Sequence, residues 1–272
     1  MKNIVDAIHA DLLGVILVSA WILILFALSE FLSRRKNIEA EKTRKLVHFG
    51  AGPIILSFPW LLHSSHTVGF LCVLFFCLLL LGKKTGWLQG VHSVQRSTSG
   101  AYLYPFAVWI CFSLSNGDPL LFTLPIAILA IADAGAALVG KKHGRHRYTV
   151  YEGERSIEGS LSFFLLALIL SLVFFFLAGV PTWPEMLFIA ILLAVITTAL
   201  EGISIFGLDN ILIPYGGFLL LDRSLHQGIQ ELSAWYEGMT LSLVGHFAFI
   251  LATSPGLLGL FKIKLRNYCV ES

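Results

Sequence analysis

The sequence predicts an all-α, polytopic integral membrane protein with about nine transmembrane helices. Three observations support this class: 56% of the 272 residues are hydrophobic, only 13% are charged, and the mean hydropathy is +0.80. Because soluble domains carry roughly 25% charged residues, lipid is the main solvent of this chain. A helix needs about 20 apolar residues to cross the hydrocarbon core, so we expect one transmembrane domain over residues 1–272.

Nine apolar runs supply the predicted spans. The first covers residues 12–28 and is followed by Arg34, Arg35 and Lys36, which indicates a retained span with its N-terminus outside. The other eight runs lie near residues 47–62, 67–81, 101–115, 119–139, 159–179, 185–200, 203–221 and 239–260.

Lysine and arginine are concentrated in alternate connections. Residues 30–46, 82–100, 140–158 and the tail after 261 contain six, three, five and three of them, respectively. Positive charge accumulates in cytoplasmic loops, so we expect an N-out, C-in topology.

Asp133 interrupts an apolar run about two helical turns before a basic loop. Its neighbours are small, and small residues let helices approach closely, so one interpretation is a packing face with a tolerated acid. Acidic groups at membrane depth are costly and usually functional. The alternative is therefore a carboxylate directed into a wet cleft at the cytoplasmic face.

The basic loop after Asp133 contains Lys141 and Lys142 and leads to Ser156 and Glu158. Topology and anionic lipids already favour a basic loop here, and Ser156 could cap the next helix with Glu158 near its positive end. The alternative is that carboxylate and cations together hold a polyphosphate and its Mg²⁺.

The apolar segment after Asp209 is only about twelve residues long, which is too short to span a membrane unaided. Either Asp209 is carried into the membrane or the helix is broken there, and both options mark Asp209 and Asn210 as a special site. The alternative is an ordinary helix cap followed by a kink at Pro214.

Arg44, Lys45 and His48 have helical spacing at the predicted inner surface. They are interpreted either as a surface anchor or as contacts to a lipid headgroup.

These patches resemble the CTP-dependent lipid-alcohol kinases that include phytol kinase and dolichol kinase, which are related to phosphatidate cytidylyltransferases. The most specific patch is Arg155 to Ser160, where such kinases usually have Lys, then Ser or Thr, any residue, Glu, Gly, and Ser or Thr. This chain has Arg155 in place of that Lys, which keeps the charge and can bind phosphate bidentately. The other patches are Arg44 to His48, Asp133 to Ala137 with Gly140 and Gly144, and Glu201 with Asp209, Asn210 and Pro214.

Residue chemistry and resemblance together imply phosphoryl transfer from a nucleoside triphosphate to a lipid hydroxyl at the cytoplasmic face of the membrane. In a prokaryote this membrane would be the plasma membrane. We expect Asp133, Glu158 and Asp209 to be catalytic and their carboxyl groups to converge on one polar cleft. Glu158 is expected to orient a metal, a phosphate-bound water or the nucleotide. A carboxylate or His48 is expected to accept the alcohol proton.

The implied ligands divide into three groups. Mg²⁺ is assigned to Asp133, Asp209, Asn210 and Glu201. The lipid headgroup is assigned to Arg44, Lys45 and His48. The nucleotide phosphates are assigned to Lys141, Lys142, Gly140, Gly144, Arg155, Ser156 and Gly159. CTP as the donor is implied by the resemblance alone.

Two other functions are compatible with the same residues. A cytidylyltransferase would use the same metal and cations to form a CDP-lipid and release pyrophosphate. A small-solute transporter would also explain buried acids and a short, Pro-containing span. The sequence predicts no nucleic-acid partner, and it contains no Walker A motif as a phosphate cradle.

The topology can be tested with single cysteines introduced as Ser65→Cys and Arg145→Cys, after replacement of the four native cysteines. We expect a membrane-impermeant maleimide to label the two positions from opposite sides, because only the second lies in a basic connection. Labelling of both from one side would show that the predicted topology is wrong.

Overall fold

The structure is a computed structural model that describes residues 10–36, 40–85, 100–150, 153–180, 182–204 and 207–226. The helices are α1 (Leu12–Lys36), α2 (Ala40–Leu56), α3 (Phe58–Leu61), α4 (Ser65–Thr85), α5 (Gly100–Leu114), α6 (Pro119–Ala127), a π-helical segment (Ile128–Ala132), α7 (Asp133–His143), α8 (Ile157–Ala178), α9 (Trp183–Ile203) and α10 (Asp209–His226). The strands are β1 (Arg147–Val150) and β2 (Gly153–Ser156). The predicted ninth span, residues 239–260, lies outside the described residues.

Five stretches of helix in the described part of the chain are long and apolar enough to cross a membrane. This agrees with the predicted class of helical membrane protein, whereas the number nine and the orientation stay predictions. The five are Leu12–Arg34, Ser65–Gly82, Pro119–His143, Ile157–Ala178 and Trp183–Ile203.

The run at 47–62 is not one continuous helix, which corrects the predicted span. The α2 helix ends at Leu56, and the four-residue α3 follows after Ser57. Pro59 accounts for the interruption, because it has no backbone N–H to donate to the carbonyl of Ile55, four residues earlier. Pro53 lies inside α2 and Pro59 lies at the start of α3.

The described residues divide into two compact units, one within Met1–Ala134 and Phe206–Phe218 and the other within Gly135–Ile205 and Leu219–Ser272. The single transmembrane domain over residues 1–272 stays a prediction.

Within the first unit, glycines let α1 approach its neighbours. A Cβ on Gly14 would lie 2.2 Å from the carbonyl oxygen of Leu61, and a Cβ on Gly50 would lie 2.7 Å from Leu25 Cδ2. The indole Nε1 of Trp21 donates to the carbonyl of Gly50 at 2.8 Å. This packing without side-chain bulk is typical of helix interfaces in membranes.

Asp11, immediately before α1, links this helix to the start of α4. Its buried carboxylate accepts hydrogen bonds from the backbone N–H groups of His63 at 3.0 Å and Ser64 at 3.1 Å, and Oδ1 lies 3.0 Å from His63 Nδ1. The starts of α1 and α4 therefore lie at the same end of the unit, as the alternating topology requires. Burial alone would raise the pKa of Asp11, but the hydrogen bonds from His63 and Ser64 outweigh burial and hold the pKa below its ordinary value.

We expect Asp11→Ala to lower the free energy of unfolding by about 1.5 to 3 kcal/mol, the range for hydrogen bonds to charged groups. Because folding lowers this pKa, the stabilisation is complete above the unfolded pKa of about 4 and is lost as pH falls through the folded value. Thermal unfolding in detergent between pH 3 and pH 7 measures both effects. His66→Ala removes an exposed side chain from the first turn of α4 and serves as the control. An Asp11→Ala protein as stable as this control would contradict the assignment.

Candidate active site

A β-hairpin follows α7 and leads directly into α8, where the sequence predicted only a loop. Strand β1 pairs antiparallel with β2, and Tyr148 is the partner of Arg155 in this register. A local signal was present, because Tyr148, Thr149 and Val150 are aromatic and β-branched residues that favour strands. The hairpin is a small exception to the predicted all-α class.

One face of the hairpin is directed at the ends of two membrane-length helices. Cross-strand partners share a face, so Tyr148 and Arg155 lie side by side. The Tyr148 hydroxyl lies 2.8 Å from Ser160 Oγ in the first turn of α8. Arg155 forms an ion pair with Glu201 in the last turn of α9, and its Nη2 donates to the carbonyl of Ser204 at 3.5 Å.

Ser156 caps α8, as one of the two interpretations of the sequence predicted. Its backbone is extended and its hydroxyl accepts a hydrogen bond from the N–H of Gly159 at 3.1 Å. The Ser156 side chain is buried, so its hydroxyl is engaged in the fold. Binding of phosphate by Ser156 stays a prediction, because the cap uses a lone pair of Oγ and does not use its O–H donor.

Three glycines surround Ser156 and let α7 and α8 approach closely. A Cβ on Gly144 would lie 2.2 Å from the carbonyl oxygen of Gly140 and 2.7 Å from Ser156 Cβ. A Cβ on Gly159 would lie 3.1 Å from the carbonyl oxygen of Ala136. The glycines thus have a packing role in the second unit, and their predicted contact with phosphate stays a prediction.

Glu158, the second residue of α8, binds both the backbone and the side chain of His146. Its two carboxylate oxygens accept from the His146 N–H at 3.2 and 3.3 Å, and Oε1 lies 2.8 Å from Nδ1 of the ring. The His146 side chain is 73% exposed and that of Glu158 is 27% exposed. Sequence reasoning missed His146, because its role depends on the hairpin that carries it to α8.

Glu201 has a cationic partner that the sequence did not predict. Its side chain is only 8% exposed, and Oε1 forms the ion pair with Arg155. Within the described part of the chain, Oε2 is buried without a hydrogen-bond partner. A buried carboxylate needs compensation, and Arg155 supplies a positive charge here. A metal at Glu201 stays a prediction.

Lys141 and Lys142 lie in the last turn of α7 with exposed side chains. Cations at this end of a helix interact favourably with its dipole, so their position has a structural reason as well as the predicted one. Arg147, on the exposed face of β1, forms a 3.4 Å ion pair with Glu154 of β2. We call the β-hairpin, the end of α7 and the start of α8 the hairpin site. Its edge, at Lys141 and Lys142, is cationic and open to solvent.

In the first unit, Asp133 begins α7 directly after the π-helical segment Ile128–Ala132. Such segments are rare and often occur at functional sites, because the extra residue per turn redirects the side chains that follow. Asp133 is half-buried. Its predicted functional role is compatible with this placement and stays a prediction.

Asp209 begins α10 after a break that the sequence predicted as one of two options. The α9 helix ends at Ile203, and Gly207 adopts a left-handed backbone with φ of 77° before α10 starts. The Asp209 carboxylate accepts from Asn210 Nδ2 at 2.8 Å, and the same amide donates to the carbonyl of Gly207 at 3.3 Å. Local contacts thus orient the carboxylate and the amide together.

Other predicted contacts stay predictions. Among the residues that the structure describes, no group of three or more His, Cys, Asp and Glu side chains is placed to hold a metal ion. The convergence of Asp133, Asp209 and Glu158 on one cleft is a prediction. The backbone of α2 contains Arg44, Lys45 and His48, whose side chains lie outside the described part.

A phytol kinase from Synechocystis sp. is 32% identical to this chain over 196 residues, which cover 71% of this chain and 83% of the relative. The chain belongs to the phytol kinase family. No family model and no solved structure matches it. The resemblance inferred from the sequence patches is thus confirmed for the phytol kinase family, and a relation to phosphatidate cytidylyltransferases stays a prediction.

In this member of the phytol kinase family, we expect Ser156→Ala to lower the free energy of unfolding by about 1 kcal/mol through loss of the cap. Gly144→Ala should destabilise by more, because its Cβ would lie 2.2 Å from a backbone oxygen. Gly202→Ala is the matched control, since its Cβ would meet nothing closer than the Tyr148 hydroxyl at 3.6 Å. Thermal unfolding in detergent compares the three variants. Equal stability of the two glycine variants would show that Gly144 is not closely packed.

Proposed function

We propose that this protein is a Mg²⁺-dependent kinase that transfers the γ-phosphoryl group of CTP to the hydroxyl of a long-chain isoprenoid alcohol, of the phytol or polyprenol type, at the cytoplasmic membrane interface. The observation that carries the proposal is the similarity to a phytol kinase over 71% of the chain. The charged hairpin at the start of α8 supports it, because a polar reaction on a lipid needs polar groups beside an apolar helix.

The surface of α8 suits a lipid substrate. Ile157, Leu161, Leu165 and Ile169 recur every four residues and are between 46% and 55% exposed. This spacing places them along one side of the helix. The resulting apolar stripe begins beside the hairpin and runs along α8. An isoprenoid chain lying on the stripe would bring its hydroxyl to the polar end.

The cations of the hairpin site suit the phosphate donor. Phosphoryl transfer depends mainly on positioning and on neutralising the charge of the phosphate oxygens. Exposed Lys141 and Lys142 would attract the triphosphate, and Arg155 would present its remaining N–H donors while Glu201 holds the guanidinium. CTP as the donor, in place of another nucleotide, follows the family resemblance.

Asp133 and Asp209 are the carboxylates that we assign to Mg²⁺, with Asn210 beside Asp209 and Glu201 as a further candidate. Magnesium is ordinarily held by one or two carboxylates together with substrate phosphates, and the half-buried Asp209 carboxylate, oriented by Asn210, fits that chemistry. When bound, the ion would neutralise charge on the phosphate oxygens.

The proposal can be tested with purified protein, Mg²⁺, γ-labelled CTP, ATP, GTP or UTP, and a panel of phytol, geranylgeraniol, a polyprenol and diacylglycerol. We expect label on an isoprenoid alcohol with CTP, and no product in the presence of EDTA. Release of pyrophosphate with a CDP-lipid product would instead identify a cytidylyltransferase. Solute uptake by proteoliposomes without nucleotide, together with no lipid product, would identify a transporter.

In the same assay we expect Asp133→Asn to reduce kcat by about 100-fold or more, because it removes a charge that stabilises the transition state without changing side-chain size. Thermal stability should hold or rise, since the variant relieves a half-buried carboxylate. Asp118→Asn is the matched control, because Asp118 caps the helix that begins the same apolar stretch, Pro119–His143, and Asn preserves this capping. Near-normal turnover of Asp133→Asn at limiting Mg²⁺ would show that Asp133 is only a packing residue.

A further inference from the structure

The ring of His146 is held at one nitrogen and open at the other edge. Nδ1 lies 2.8 Å from Glu158 Oε1, and an ionised carboxylate only accepts hydrogen bonds, so Nδ1 carries the proton of the neutral ring. The lone pair of the neutral imidazole is then on Nε2. Because the side chain is 73% exposed, that edge is open to a substrate.

We infer that Nε2 of His146 accepts the proton of the lipid hydroxyl and that Glu158 is its positioning residue. This inference rests on the proposed function and assigns a residue to a step that the function requires. In that step the O–H bond of the alcohol breaks and its proton moves to Nε2. The alcohol oxygen forms a bond to the γ-phosphorus, and the bond from this phosphorus to the bridging oxygen breaks. The nucleoside diphosphate leaves with the electron pair.

The location of His146 suits this role. Its carbonyl accepts a hydrogen bond from the N–H of Ile157 at 2.9 Å, and Ile157 is the first residue of the apolar stripe on α8. A lipid chain on the stripe would therefore present its hydroxyl next to the imidazole. Lys141 and Lys142 precede His146 by one short connection, so the phosphate donor would be bound nearby.

The ring is not needed to attach the hairpin to α8. Glu158 also accepts hydrogen bonds from the backbone N–H of His146, which any residue except proline would provide. Glu158 itself is a weaker candidate for the proton acceptor, because His146 donors already occupy its oxygens.

The variant His146→Asn separates a structural role of His146, its hydrogen bonds to Glu158, from the proposed role as proton acceptor. The Asn amide nitrogen takes the position of Nδ1 and keeps a donor to Glu158, but the variant has no atom at Nε2. We expect kcat for the isoprenoid alcohol to fall by about 10² to 10⁴-fold, the usual contribution of a general base. The KM for CTP and the thermal stability should stay within about twofold and a few degrees of wild type. Added imidazole should restore part of the activity of His146→Ala.

His143→Asn is the matched control, because His143 is an exposed histidine at the end of α7. Its kcat should stay within about twofold of wild type. Glu158→Gln tests the positioning role: it should lower kcat alone but cause no further loss in the His146→Asn background, since the two residues act as a unit.

The outcomes distinguish this inference from the proposed function. If the wild-type protein phosphorylates the alcohol and His146→Asn retains full kcat, the inference is wrong and the kinase assignment remains. Additive losses in the double variant would overturn the role of Glu158. If the wild-type protein forms no phosphorylated alcohol under any condition of the panel, the proposed function fails and the inference fails with it.

Discussion

The close approach of α7 and α8 around the Ser156 hydroxyl is the constraint on which the hairpin site depends. Gly140, Gly144 and Gly159 leave the space in which this hydroxyl reaches the N–H of Gly159. The cap fixes the residue at which α8 begins, and that start places Glu158 one residue inside the helix. Because the hairpin strand ends at Ser156 itself, the same contact also fixes the position of the hairpin.

The Arg155–Glu201 ion pair explains how charge is retained at the end of two apolar helices. Burial of a lone carboxylate in the last turn of α9 would be costly, and the negative end of that helix would add to the cost. Arg155 offsets both effects because it contacts the carboxylate and the Ser204 carbonyl. These contacts fix the guanidinium, so in the proposed reaction it would need less reorganisation to bind a phosphate group.

Local physics made part of this structure predictable from sequence. The membrane class follows from composition, the cap at Ser156 from its position before an apolar run, and the break before Asp209 from the length of the segment that follows. The Arg155–Glu201 ion pair and the contact of His146 with Glu158 were not predictable, because both depend on a β-hairpin, and the sequence predicted only a basic loop there. The interruption at Ser57 was missed for a different reason: hydropathy alone averages over Pro53 and Pro59.

A kinase that acts on a membrane alcohol must bring a water-soluble triphosphate into contact with a substrate that stays in lipid. The start of α8 offers both environments within a single turn, since Glu158 binds His146 while Ile157 and Leu161 begin the apolar stripe. Glu158 and Leu161 are three residues apart, which corresponds to a rise of about 4.5 Å along the helix. In the proposed reaction, the triphosphate could therefore stay in water and the lipid alcohol in the membrane while the two react. The glycines around Ser156 matter for this reason, because a looser packing of α7 would move the cations away from the head of the stripe.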